Sequence, residues 1–266
     1  MPVKSVHRGF TLVEAIVVIA ITGIVAAAAA SFIRAPVEAY VDSVRRAGLS
    51  DAADTALRRL GRDLRAALPN SIRIVSSGGA TYIEFLQTVG GGRYRAELDG
   101  LGGGNDLDFT GPDSTFDVIG PAPDLAPGDL IVVYNLGPGS EESDAYTTGN
   151  STPFSSFSPP TITIASKQFP FFSPGKRFHV VRQPVTYKCD PVSGELRRYW
   201  GYTISPTQPT PPATSNTALL ALDVSGCEFR YNAISQGNSV ISMRLELSQS
   251  GEKVTLFQQV HVANVP

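Results

Sequence analysis

The sequence predicts an α+β fold, a long N-terminal helix packed on antiparallel β-sheet, and three observations carry that prediction. Phe10 to Ile33 is an apolar run of 24 residues in which Glu14 is the only ionisable side chain. Apolar residues then recur at steps of three and four through Val37, Val41, Val44, Ala53, Leu57, Leu60, Leu64 and Leu68, the period of a helix with one buried face. From Ser71 onward the pattern changes to short alternating runs separated by turn residues, the signature of strands.

Taken in order, residues 1–9 form a short basic leader with Lys4, His7 and Arg8 ahead of the apolar run. Residues 10–35 read as a membrane-spanning helix, since 24 residues at about 1.5 Å each cover roughly 36 Å against a hydrocarbon core of about 30 Å. A secretory signal has an apolar region of only about 7–15 residues, so the small-residue run Ala28-Ala29-Ala30 is the weaker reading as a cleavage site. The positive leader places the N-terminus in the cytoplasm and sends the C-terminal part across the membrane as a single-pass protein. A carboxylate inside such a run is costly unless paired, so Glu14 calls for a partner.

Residues 36–69 read as the amphipathic continuation of the helix. Pro36 is expected to kink it, Gly48 and Gly61 to weaken it, and Pro69-Asn70 to stop it. The arginines between Arg58 and Arg65 are interspersed with aspartates and read as a solvated helix face. Residues 70–266 read as one β-rich domain. Candidate strands are 71–75, 81–86, 93–98, 106–109, 115–119, 129–134, 161–165, 177–182, 185–189, 195–202, 219–224, 227–231, 240–247 and 253–262. The last two form a hairpin through Ser250-Gly251. The Gly-, Pro-, Ser- and Thr-rich stretches 137–160 and 205–215 are expected to be mobile surface loops.

The formal net charge is −2, unevenly spread. Residues 69–160 carry three basic and twelve acidic side chains, and residues 161–266 carry ten basic and six acidic. Neither block is the strongly basic, aromatic-interleaved surface that nucleic acid requires, so no nucleic-acid partner is expected. Two cysteines, Cys189 and Cys227, lie in the translocated part, where an even count in an oxidising compartment favours a disulfide over two free thiols. No metal cluster accompanies them, and no zincin, nucleophile-elbow or P-loop spacing occurs. His179 and His261 sit in β-type segments and read as packing residues. Asp99, Asn105, Asp106 and Asp108 miss the spacing of a calcium loop, so no cofactor is expected; calcium is the one candidate kept. Asn150-Ser151-Thr152 is a lone sequon.

The junction Arg8-Gly9-Phe10-Thr11-Leu12-Val13-Glu14 resembles the class III leader of type IV prepilins and type II secretion pseudopilins. The resemblance implies a pilin-like fold, a prepilin peptidase that cuts between Gly9 and Phe10, and N-methylation of Phe10. It also implies that Glu14, fifth in the mature chain, pairs with the amine of Phe10 on a neighbouring subunit and sets register. Such desolvated charges are tolerable only as a pair. The wider likeness, carried by Leu57-Arg58-Arg59-Leu60-Gly61-Arg62-Asp63-Leu64-Arg65, the length and the β-rich region, is to large minor pseudopilins of the J type and to PilW-like and MshO-like pilus proteins. It implies a non-enzymatic inner-membrane subunit with a periplasmic C-terminal domain, whose partners are other minor pilins or pseudopilins and the major pilin. Pro36 falls later than in major pilins, and the chain is large, which both speak against a major-pilin role. A membrane-anchored or secreted enzyme, or an adhesin, carrying a pilin-like leader is the alternative.

Overall fold

The structure, a computed structural model, describes residues 9–213, 215–235 and 238–266. Leader residues 1–8 lie outside the described residues. Helix α1 runs from Leu12 to Arg65 without interruption at Pro36. It ends four residues before Pro69, earlier than the proline alone dictates. There the Leu68 N–H donates to the Leu86 carbonyl and the Thr88 N–H to the Ala66 carbonyl, so the chain leaves the helix by pairing with a strand.

The molecule divides into two compact units, residues up to Gly48 and Leu49–Pro266. In the first, the helix exposes its large apolar side chains, from Leu12 to Val44. In the second, α1 buries Leu49, Ala53, Ala56, Leu57, Leu60 and Leu64. Within the second unit the apolar stripe is buried from Leu49 onward, and within the first Val37, Val41 and Val44 are exposed.

Twelve strands are described: β1 Arg73–Ser77, β2 Ala80–Tyr94, β3 Asp113–Ile119, β4 Leu130–Val133, β5 Ser151–Ser158, β6 Thr161–Lys167, β7 Arg177–Asp190, β8 Glu195–Trp200, β9 Asn216–Ala221, β10 Val224–Ser235, β11 Asn238–Gln249 and β12 Glu252–Ala263. All pairings are antiparallel. The long ladder between β2 and β7, from Thr81↔Cys189 to Arg93↔Arg177, is the axis of the larger sheet. Near one end β1, β2, β7, β8 and β9 lie side by side; near the other, β2-β3-β6-β5-β4-β7 closes on itself as a ring of six strands. Bulges between Gln87 and Gly90 separate the two regimes. β10, β11 and β12 form a second sheet.

Each regime has its own core. α1 from Leu49, the open end of the larger sheet and the three-stranded sheet enclose Leu60, Leu64, Phe85, Tyr187, Met243 and Leu245 among others. The ring encloses Tyr94, Phe116, Ile131, Ile162, Phe169 and Phe178. A disulfide between Cys189 on β7 and Cys227 on β10 joins the two sheets. Gly61 is buried where α1 meets β12: a Cβ there would stand 3.1 Å from the Val260 Cγ2 and 3.2 Å from the Gln258 side-chain nitrogen. It is a close-approach glycine as well as a weak helix former.

Four expectations change. The candidate strands at 81–86 and 93–98 fuse into β2, which ends at Tyr94, and those at 177–182 and 185–189 fuse into β7, because bulges bend these strands without breaking them. Residues 106–109 form no strand: the Asp108 carboxylate accepts from the Thr110 N–H at 2.7 Å, a local bond that competes with the ladder. The supposed loop 137–160 contains β5, whose Phe154 and Phe157 pack on the ring core. Nor is the rest of that stretch loosely attached. Tyr146 is 2 % exposed and its hydroxyl donates to the Ser71 carbonyl at 2.8 Å. The C-terminal hairpin forms as read, with Gln249↔Glu252 flanking Ser250 and Gly251, both at positive φ, a type I′ turn.

Candidate functional site

The start of α1 is built by one local motif. The Glu14 N–H donates to the Thr11 hydroxyl oxygen at 3.3 Å, and the Ala15 N–H donates to the Thr11 carbonyl at 3.1 Å. Thr11 is thus the N-cap and Glu14 the third helical residue, the spacing of a capping box. Sequence reasoning singled out Glu14 for its charge and missed Thr11, although Thr-x-x-Glu before an apolar run is the visible signal. The position also places a carboxylate in the first turn, where the helix dipole favours it.

Gly9 and Phe10 precede the helix, and Phe10 is 73 % exposed. Glu14 is exposed and, among the described residues, forms no ion pair. The helix that follows is long and apolar enough to cross a membrane, and none of the residues in its most apolar stretch is buried. Gly9, Phe10 and Glu14 are therefore presented together on an unburied helix start, and among the described residues Glu14 has no ion-pair partner.

Cys189 and Cys227 lie elsewhere, in the β-domain, and no free cysteine remains. The ionisable groups buried there hold elements together. The Asp63 carboxylate on α1 accepts from the Arg198 guanidinium at 2.7 Å and the Tyr187 hydroxyl at 2.8 Å, with Arg59 at 3.4 Å. The Glu84 carboxylate accepts from Arg73 at 2.6 Å and the Tyr202 hydroxyl at 2.9 Å; burial pushes its carboxyl up, and Arg73 offsets part of that. Arg73 also donates to the Ser205 and Pro206 carbonyls and lies 3.7 Å over the Tyr146 ring, tying together two irregular segments. These networks are satisfied and enclosed, which is the pattern of structural polar groups.

Asp99 and Asp108, read as calcium candidates, turn their carboxylates to nearby backbone: Asp99 accepts from the N–H groups of Leu101 and Gly103, and Asp108 from that of Thr110. Among the described residues no group of three or more His, Cys, Asp or Glu side chains is placed to hold a metal ion. His261 is exposed on β12, and His179 is half-buried on β7.

A family model described as the prokaryotic N-terminal methylation motif matches residues 4–30, the segment that contains Gly9, Phe10 and Glu14. None of the curated proteins and none of the solved structures matches the chain. The leader motif supports a type IV pilin-like or pseudopilin subunit, which implies processing by prepilin peptidase and assembly with other pilins. With the apolar helix, it fits a membrane-anchored pilin, and the α+β architecture is pilin-like.

Proposed function

We propose that the chain is a minor pilin or pseudopilin subunit that helps initiate assembly of a filament and sits at or near its tip. Our reading puts it closest to MshO, the minor pilin-like biogenesis protein of the mannose-sensitive haemagglutinin pilus, with a type II secretion pseudopilus as the second setting. It is a structural subunit, anchored once in the bacterial inner membrane with its β-domain in the periplasm before assembly. The observation that supports this reading is the exposed helix start: Glu14 is the one ionisable side chain between Phe10 and Ile33, it lies inside the methylation motif, and among the described residues nothing pairs it.

Cleavage between Gly9 and Phe10 creates a cationic amine four residues from Glu14. In hydrocarbon each charge alone is strongly unfavourable, and a carboxylate of one subunit facing the amine of its neighbour removes both penalties at one register only. Large subunits with irregular loops suit a few copies at an end better than a repeating shaft. The test is mass spectrometry of the mature N-terminus together with Glu14→Ala. Methylated Phe10, and a variant that is cleaved normally but excluded from filaments, are expected. A mature terminus near Ser31, or normal incorporation of the variant, overturns the reading.

A further inference from the structure

The outward face of the ring carries an arrangement that filament assembly leaves unexplained. Arg93 on β2 and Arg177 on β7 are direct cross-strand partners, and both side chains are exposed. Like charges placed directly opposite destabilise a sheet. Every other arginine on a strand is in an ion pair: Arg73, Arg182, Arg197, Arg198, Arg230 and Arg244. Among the described residues, Arg93 and Arg177 form neither an ion pair nor a side-chain hydrogen bond. This pair sits in a chain whose residues 69–160 include twelve carboxylates, none of which is turned to it.

The surroundings leave room beside the pair. Gly91 precedes Arg93 by two residues on the same face and stands opposite His179, so no side chain fills that position. A Cβ at Gly91 would meet the Phe178 carbonyl oxygen at 2.6 Å, so only glycine fits there. An open cavity of about 500 Å³ is bordered by Gly90, Gly91, Gly92, both arginines and His179. The His179 Nε2 is buried without a hydrogen-bond partner. Burial, aided by the Arg177 charge, holds that ring's pKa down to about 4, so near neutral pH it is an uncharged polar group with spare hydrogen-bonding capacity.

We propose that Arg93 and Arg177, with the cavity beside them, form a binding site for an oxyanion, a carboxylate or phosphate group of small-molecule size. A guanidinium is built for bidentate contact with such groups, and an anion between the two relieves their repulsion. The carboxylate can come from a free small acid or from an acidic side chain of another protein. The inference holds whether or not the chain is a filament subunit.

Calorimetric titration of the full chain in non-ionic detergent at low salt tests it, with sodium phosphate, sodium succinate and a short glutamate-rich peptide as probes. Saturable one-to-one binding of at least one probe is expected, weakened tenfold or more by Arg93→Gln and by Arg177→Gln. Arg62→Gln, an exposed arginine on α1, leaves it unchanged. A peptide that binds tenfold tighter than the small anions identifies a protein side chain as the source; phosphate or succinate binding at least as tightly identifies a free anion. Without ligand, each cross-strand variant keeps its Tm or gains about 1–3 °C from relief of the like-charge pair. No saturable binding of any probe, binding unaffected by both variants, or a Tm loss above about 5 °C in both overturns the proposal.

Discussion

Asp63 shows how one residue can hold a helix to a sheet. It sits on α1, 8 % exposed, and its partners Tyr187 and Arg198 come from β7 and β8, more than a hundred residues later. Arg198 is itself buried, with its guanidinium 4.8 Å from the centre of the Trp200 ring. Asp63→Ala leaves that cation enclosed without a counterion, which costs about 3–5 kcal/mol, and chemical denaturation should show a loss of that size. Asp63→Leu combined with Arg198→Leu removes both charges and should recover most of it; a double variant as weak as the single one would rule out the pairing as the cause. Asp190 makes a pH-dependent contribution. A hydrogen bond from Lys188 at 2.8 Å, with help from the N–H groups of Val192 and Ser193, holds its pKa down to about 2 from 3.8. A depressed carboxylate stabilises the folded state above the unfolded pKa, and the contribution is lost as pH falls from 3.8 toward 2. With Lys188 partly solvated, screening leaves about 1 kcal/mol, so Asp190→Asn should lower Tm by about 2–4 °C at pH 7, a difference that shrinks below pH 3.8 and vanishes only below the folded pKa of about 2.

Among the elements, the disulfide has the widest reach, because it ties the larger sheet to the three-stranded one. Cys189 and Cys227 are 38 residues apart, and closing a loop of that length restricts the unfolded chain by about 4 kcal/mol on the chain-entropy account. Melting with and without reductant should differ by about 8–15 °C, with Cys189→Ala/Cys227→Ala matching the reduced protein. An unchanged Tm on reduction would mean that packing alone joins the sheets. The elements also show what a sequence can disclose. α1, the I′ hairpin and most strand positions were legible because hydropathy period and turn chemistry are local properties. β5 was not: in Ser151–Ser158 only Phe154 and Phe157 are large and apolar, and the strand exists because β4 and β6 flank it. The same holds for the burial of Tyr146 and the tight approach at Gly61, since Ser71, Arg73, Gln258 and Val260 are distant in sequence. At the helix start the charge of Glu14 stands out in the sequence, and the cap made by Thr11 is an equally local signal in the Thr-x-x-Glu spacing.

At the scale of the whole molecule, the two units are built for different solvents. From Leu49 onward α1 contributes to a closed core, whose described residues all belong to the second unit. Before it, Ile16, Ile19, Ile24, Phe32 and Ile33 are all more than half exposed, an arrangement that water penalises and a bilayer or a bundle of like helices accommodates. The β-domain should therefore not depend on the first half of α1 for stability. A fragment spanning residues 42–266, which keeps two turns of helix ahead of Leu49 and the Asp42–Arg45 pair at 2.8 Å, should be soluble without detergent and melt cooperatively. Its Tm should fall within about 3 °C of that of the full chain in detergent, since a difference of 1 kcal/mol already moves a domain of this size by about 2–4 °C. The full chain without detergent should aggregate through residues 10–41. A fragment that fails to fold, or melts far lower than the full chain, would show that the first half of α1 stabilises the domain as well as anchoring it.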